Sequence, residues 1–311
     1  MKKIVVITPV YNEALGLEQY KNAVVAQLFS KREFDYEVLF VDDGSSDGSW
    51  DMIQKICATD NRFKAIRLSR NFGPHIALSA GINSIKNCDA IATLACDLQD
   101  PPQAINDFAT KWKNENVKIV WGKRKERKDA LWRRFMSKTF FVLIKRYAMP
   151  KGSLFQTGSF FLIDKQVKDA YDLFHERSRI TFAIVAYTGF KQDVVEYSRE
   201  KRCAGKSKWS FSKMIRAMVD TFIGFSDVPV RLMSMIGFAL MVLNSFFIFY
   251  LLFQWFFNSV SIKGWTGIMV SISFFSGVIL MFLGVIGEYL RRIYHESVKR
   301  PLYFISEKID E

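Results

Sequence analysis

The chain has 311 residues, half of them apolar, with 44 Lys and Arg against 31 Asp and Glu and a formal net charge of +13. This composition excludes wholesale disorder, and the basic excess points to an anionic partner: nucleic acid, an anionic membrane surface or a phosphorylated substrate. Cys57, Cys88, Cys96 and Cys203 form no CxxC pair and no metal spacing, so they read as reduced cytosolic thiols and not as a disulfide framework.

The opening MKKIVVITPVYNE has too short an apolar run for a signal peptide, which leaves residue 1 in the cytosol. Ile4 to Ile7 is β-branched and ends at Thr8-Pro9, the pattern of a fully buried strand, and a helical pattern runs from about Leu15 to Phe29. Tyr36 to Val41 reads as a second strand. It is closed by DDGSSDG (42–48), whose turn formers can also cap a helix beginning near Ser49. Phe63 to Leu68 is predicted as a third strand, Gly73 to Ile85 as a helix and Ile91 to Cys96 as a fourth strand. That fourth strand delivers Asp97, Gln99 and Asp100 before Pro101-Pro102 stops it. These are hard oxygen donors of the kind that hold Mg²⁺ or Mn²⁺ beside substrate phosphates.

Strands and helices alternating at this spacing predict a parallel sheet with helices on both faces. Three strands then end in polar residues, Tyr11/Glu13, Asp42/Asp43 and Asp97/Gln99, and open α/β sheets bind ligands at that edge. Neither GxGxxG after the first strand nor GxxxxGK[ST] is present, so phosphates here need a metal and basic side chains in place of a glycine-rich cradle.

Beyond the sheet pattern the chain turns basic, from Trp121 to Lys151, with Trp132, Phe135, Met136, Phe140 and Leu143 interleaved at near-helical spacing. A helix of that kind can lie on an anionic membrane; RNA binding has no supporting motif. Phe211, Met214, Ile215, Met218, Val219, Phe222 and Ile223 predict an amphipathic juxtamembrane helix. Leu232 to Ile262 and Gly264 to Gly287 then carry no charge. At about 1.5 Å per residue each can cross a hydrocarbon core of roughly 30 Å. Arg231 on one side, with Arg291, Arg292, Lys299 and Arg300 on the other, puts both chain ends in the cytosol and the turn near Lys263 outside.

The stretches TPVYNE (8–13), VDDGSSDGS (41–49), RNFG (70–73), DLQDPP (97–102), GKSKWS (205–210) and GVIGEYLRRIYHESVKRPLYF (284–304) resemble the family 2 glycosyltransferases of the polyisoprenyl-phosphate branch. That branch contains dolichyl-phosphate mannosyltransferases and bactoprenol glucosyltransferases. The resemblance covers nearly the whole chain. It implies an α/β GT-A (Rossmann-like) nucleotide-sugar domain over 1–210, a juxtamembrane helix over 211–230, a two-helix transmembrane hairpin over 231–288 and a cytosolic tail over 289–311. It implies an inverting transfer of a sugar, with glucose from UDP-glucose the commonest expectation, onto undecaprenyl phosphate at the cytosolic face of a bacterial inner membrane. The product is expected to serve envelope polysaccharide modification, another sugar is the alternative to glucose, and nucleic acid is not expected as a partner; the two amphipathic surfaces and small hairpin suit a homo-oligomer, with room for a tetramer.

Carried over motif by motif, Pro9, Tyr11, Glu13 and Asp43 hold the nucleoside with Asp42 beside them, and Asp97 and Gln99 bind Mg²⁺ or Mn²⁺. Arg124, Arg133 and Ser137 match positions that meet the lipid phosphate, and Arg202 and Lys208 match positions that clamp phosphates. In one place the chain departs from the pattern: Ala95 stands where the branch has the first aspartate of its DxD pair. A catalytically weakened membrane scaffold is therefore the alternative reading. A processive polysaccharide synthase would carry QxxRW and more membrane helices, and neither is present.

Overall fold

The computed structural model describes residues 1–30, 33–125, 154, 160–177, 179–199, 228–257 and 264–310. The chain divides into two compact units, one made of residues 1–218 with 300–311 and the other of residues 219–299.

The first unit is built on a sheet. Its strands among the described residues are β1 (Lys3–Val10), β2 (Asp35–Asp42), β3 (Phe63–Leu68), β4 (Ala90–Thr93), β5 (Ile119–Arg124), β6 (Phe161–Asp164), β7 (Gln192–Tyr197) and β8 (Ile305–Ile309). They lie side by side in the order β7-β5-β6-β4-β1-β2-β3-β8. The pairs β4-β1, β1-β2, β2-β3 and β5-β7 are parallel, as the alternating pattern predicts. The sheet is nevertheless mixed. β6 runs antiparallel between β4 and β5, and β8 runs antiparallel along β3. Because β6 reverses twice over, β5 and β7 point the same way as β1 and β4, and all their carboxyl ends share one edge.

Helices cover both faces: α1 (Leu17–Val24), α2 (Ser49–Thr59), α3 (Pro74–Ser84), α4 (Gln103–Glu115), α5 (Lys165–Asp172) and α6 (Thr181–Tyr187). The helical pattern from Leu15 to Phe29 resolves into a 3₁₀ turn (Ala14–Gly16), α1 and a π turn (Val25–Phe29). Beneath α1, α2 and α4 lies a core of Ile4, Val6, Val38, Phe40, Phe63, Leu17, Tyr20, Ile53, Ile105 and Phe108. Phe40 and Phe63 stack with centroids 5.8 Å apart. Each such buried side chain contributes roughly 1.5–3 kcal/mol over leaving it in water. Tyr20 is fully buried, and its hydroxyl is satisfied by Thr8.

β4 is shorter than the apolar run Ile91 to Cys96 suggests. It ends at Thr93, and a single bond from Leu94 N to Ile7 O (3.0 Å) closes the ladder. The residues after it are buried as packed loop, so Asp97 sits on a turn beyond the strand and not at its tip. Trp121 to Arg124, the start of the basic stretch, belongs to β5 and not to a surface helix. The rest of that stretch from residue 126, and the amphipathic pattern over 211–223, lie outside the described residues.

The second unit contains α7 (Val228–Phe257, 30 residues) and α8 (Trp265–Ser297, 33 residues). Among the described residues one helical segment, Phe274–Ser297, is long and apolar enough to cross a membrane. The expected second crossing is therefore not matched by a second such segment. Glu288 on α8 pairs with Arg291 at 2.6 Å, one turn on. The residues that follow α8 do not trail away as a tail: β8 adds to the sheet of the first unit as its edge strand.

Candidate active site

The site begins with the two loops that follow β1 and β2. Asn12 donates its backbone N–H to Ser45 Oγ (3.0 Å) and its side-chain oxygen accepts from Ser46 N (2.9 Å). Glu13 N donates to Ser49 Oγ (3.0 Å) and Ala14 N to Asp47 Oδ2 (3.1 Å). Four bonds thus lock Asn12, Glu13 and Ala14 to the loop of Ser45, Ser46, Asp47 and Ser49, and Asn12 takes a left-handed backbone (φ 53°) to make the turn. Asp47 also accepts from Ser49 N at the first residue of α2, but the cap position itself falls on Gly48, so no side chain caps the helix in the way the sequence suggests. Burial works to raise the Asp47 pKa, but the Ser49 hydroxyl and the Ala14 and Ser49 N–H groups outweigh it and hold the pKa below the usual carboxylate range.

Asp42 and Asp43 are both buried, at 0% and 3% exposure, at the end of β2. Asp43 accepts from Phe72 N (2.7 Å) and Gly73 N (2.9 Å), which holds RNFG against the strand end. Asp42 accepts from Ser45 N (3.3 Å) and faces Arg67 Nε at 3.3 Å. Burial pushes both carboxyls upward, opposed at Asp42 by Ser45 and Arg67 and at Asp43 by the two backbone N–H groups. Each carboxylate oxygen has two lone pairs, so one donor per Asp43 oxygen leaves capacity for a ligand. Gly44 between these loops is obligatory. Its φ is +69°, and a Cβ there would lie 2.5 Å from the backbone carbon of Arg70.

Across the same edge, Asp97 and Gln99 lie on one turn, with Gln99 N donating to Asp97 Oδ1 (3.2 Å) and Leu98 between them at φ 51°. Both are half-buried. No group of three His, Cys, Asp or Glu side chains converges as a ready metal cage among the described residues. One carboxylate and one amide are hard oxygen donors, and they fit a Mg²⁺ or Mn²⁺ ion that completes its shell with water and ligand phosphates.

Asp100, first grouped with these donors, has a different place. It is buried at 6% exposure, accepts from Tyr197 Oη (2.6 Å) at the end of β7 and lies 3.6 Å from Arg199 Nε. Tyr197 in turn accepts from Arg124 Nε at 3.4 Å, at the end of β5. Burial first, then the Asp100 carboxylate, pushes the Tyr197 hydroxyl up to about 12, so it stays a proton donor. Gly122 makes room for this pair: a Cβ there would approach both the Tyr197 and Phe160 rings to 2.9 Å.

Of the expected site residues, the sheet brings Pro9, Tyr11, Glu13, Asp42, Asp43, Asp97, Gln99 and Arg124 to one edge. Arg133, Ser137, Arg202 and Lys208 lie outside the described residues. Arg67, Tyr197 and Arg199 were not singled out from sequence. Arg67 falls inside an ordinary strand pattern, and the other two have partners roughly a hundred residues away.

A sheet edge of this kind, with acidic strand ends, clamped loops and no glycine-rich phosphate cradle, belongs to the GT-A-like α/β glycosyltransferases. Residues 5–171 match the family described as glycosyl transferase family 2, and the chain belongs to that family; the protein is a glycosyltransferase. It is 35% identical over 303 residues to the uncharacterized glycosyltransferase YkcC of Bacillus subtilis, covering 97% of this chain and 93% of that protein. It is 30% identical over 307 residues to the bactoprenol glucosyl transferase of Shigella phage SfV, covering 98% and 99%. Among solved structures, mannosyl-3-phosphoglycerate synthase from Rubrobacter xylanophilus shares the fold at a TM-score of 0.50, with 15% identity over 70% of this chain and 71% of that one.

Proposed function

We propose that this protein transfers a sugar from a nucleotide-sugar, with UDP-glucose the first candidate, onto a polyprenyl phosphate of the undecaprenyl type at the cytosolic face of a membrane. The observation that carries the reading is the gathering of Asp42, Asp43, Asp97, Gln99 and Arg124 on one sheet edge. It occurs in a chain similar, from end to end, to a bactoprenol glucosyl transferase.

The chemistry suits these residues. A phosphate monoester has its second pKa near about 6, so the acceptor is already an anion at neutral pH and needs no strong general base. Direct attack of that oxygen on the anomeric carbon inverts it and expels the nucleoside diphosphate. The protein's task is to align two polyanions and relieve their repulsion. Pro9, Tyr11, Glu13 and Asp43 hold the nucleoside, and Arg124 with Arg133 and Ser137 receives the acceptor phosphate. Arg202 and Lys208 clamp phosphate oxygens. A divalent cation held by Asp97 and Gln99 would supply positive charge to the leaving diphosphate.

Membrane attachment through a hairpin of α7 and α8 completes the reading. Both flanks of the apolar unit, β7 before it and β8 after it, belong to one sheet. An even number of crossings is in keeping with that closure. Leu232 to Ile262 carries no charge, in keeping with a second span.

The test uses purified protein in detergent with undecaprenyl phosphate and a panel of radiolabelled nucleotide sugars, with Mg²⁺, Mn²⁺ or EDTA. The expected outcome is a labelled lipid from one donor that EDTA abolishes. Labelled product on no lipid, beside an active control enzyme, would reject the reading.

A further inference from the structure

Arg67 and the strand that returns from beyond the apolar unit form a cluster to which neither the family motifs nor the transfer chemistry assigns a role. Arg67 lies near the carboxyl end of β3, opposite Glu307 of β8, where the ladder shifts register between Arg67 and Leu68. Its guanidinium makes four approaches at once. Nε is 3.3 Å from Asp42 Oδ2, and Nη2 is 3.5 Å from the Ser45 carbonyl oxygen. Nη1 donates to Glu307 Oε1 at 2.8 Å, and the group lies 5.5 Å from the centre of the Trp50 ring. Glu307 uses its second oxygen to accept from Trp50 Nε1 at 3.0 Å. β8 is itself tied down at this point, by Ser69 N to Phe304 O (2.9 Å) and by Ser306 Oγ to Arg67 O (3.2 Å).

The electrostatics give this cluster a task. Asp42 is wholly buried, which disfavours its charge, and Arg67 is the cation that faces it. The Glu307 carboxylate is the largest influence raising the Arg67 pKa, partial burial opposes it and Asp42 adds to it. A long arginine held only by Asp42 could swing to solvent or onto any anion near the edge. Held by one Glu307 oxygen and the Trp50 indole face, it is kept beside Asp42 and the Ser45 carbonyl.

We infer that Arg67 is a positioning residue of the donor site, and that Glu307 and Trp50 hold it there. The C-terminal strand is thereby a working part of the nucleotide pocket. The inference rests on the reading of the DDGS edge as the nucleotide site and adds the part that keeps that edge in shape. Arg67 acts through Asp42 and Ser45, so its loss falls on donor recognition.

The experiment uses the full chain in detergent, with UDP and GDP as calorimetric probes and the donor of the transfer assay for kinetics. Glu307→Ala is expected to weaken nucleoside diphosphate binding and raise donor KM roughly tenfold, with kcat little changed. Glu307→Gln keeps an acceptor for Trp50 and falls between. Arg67→Ala matches or exceeds Glu307→Ala, and the double variant is no worse than Arg67→Ala alone, because both changes remove one arrangement. Lys308→Ala is the control. Lys308 is the next residue on β8, faces away from Glu307 and pairs with Asp310, so donor KM should not move.

If wild type binds a nucleoside diphosphate and Glu307→Ala binds it equally well, the inference falls and the donor reading stands. Equal KM rises in Glu307→Ala and Lys308→Ala would reduce the effect to strand fraying and also overturn it. Wild type that binds neither UDP nor GDP would remove the donor reading and the inference with it.

Discussion

Ala95 is two residues before Asp97, and on the proposed reading a second carboxylate there adds a ligand for the cation that Asp97 and Gln99 would hold. Ligand charge count is a main determinant of affinity for hard cations. Ala95→Asp is therefore expected to lower the Mn²⁺ concentration for half-maximal transfer by about tenfold, read from a metal titration of product formation. No change would mean that the residue at position 95 does not reach the cation. His75, in the first turn of α3, carries a different kind of strain. Its Nδ1 is shut from solvent with no hydrogen-bond partner among the described residues, and burial pushes its pKa down from 6.5 to about 4. Unfolded chains take up a proton there near pH 6.5, while the folded protein does so only near 4. The unfolded state thus binds more protons between those values, and stability must fall as the pH drops through that window. Urea unfolding followed by tryptophan fluorescence should show wild type losing about 2 kcal/mol more than His75→Gln between pH 7 and pH 4.5. Parallel losses in the two proteins would count against a buried neutral imidazole. Asp42 and Asp43 shift upward and act in the opposite sense, which is why the comparison is between variants.

At the scale of elements, the ends of β5 and β7 are joined through side chains. Tyr197→Phe removes the hydroxyl that serves both Asp100 (2.6 Å) and Arg124 (3.4 Å) and leaves a buried carboxylate short of a donor. The expected cost is about 1–3 kcal/mol of stability, with acceptor KM rising more than donor KM. Equal effects on both substrates would mean that the pair only supports the fold. This bridge also marks where sequence reading stops. β3 was legible to its last residue, because Phe63, Ala65, Ile66 and Leu68 mark a buried strand around Lys64 and Arg67, with Arg62 and Ser69 bounding it. β4 was read too long, since Leu94 and Cys96 are as buried in a packed loop as they would be in a ladder. Burial alone carries no information about pairing. The direction of β6 was not legible either: FLID is as apolar as its parallel neighbours, and its antiparallel course is set by where the chain returns from. β8 is five residues, largely exposed, and its role depends on Arg67, 240 residues earlier. The acidic strand ends were legible because loops that hold ligands keep polar residues where an apolar run stops; their fixers, Arg67 and Tyr197, sit inside strands and look like packing.

For the whole molecule, closure of the sheet constrains topology more tightly than hydropathy does. The first unit contains residues on both sides of the apolar unit, and β8 cannot pair with β3 across a bilayer. On the proposed hairpin α7 crosses together with α8, and Gly264 is expected on the face of the membrane opposite both flanks of the pair. Arginines and lysines flank the pair, Arg231 before and Arg291, Lys299 and Arg300 after, so the proposed hairpin is expected to keep its flanks in the cytosol. A single cysteine placed at Gly264, probed on intact cells with a membrane-impermeant maleimide, should label, whereas one placed at Lys308 should label only after the membrane is broken. The native Cys57, Cys88 and Cys96 are free thiols of the sheet unit and should stay silent until lysis. Labelling of neither position on intact cells would mean that the apolar unit lies along the membrane without crossing it, and labelling of both would break the sheet closure itself. With Gly264 alone accessible, both flanks of the apolar unit lie in the cytosol, as the proposed hairpin expects.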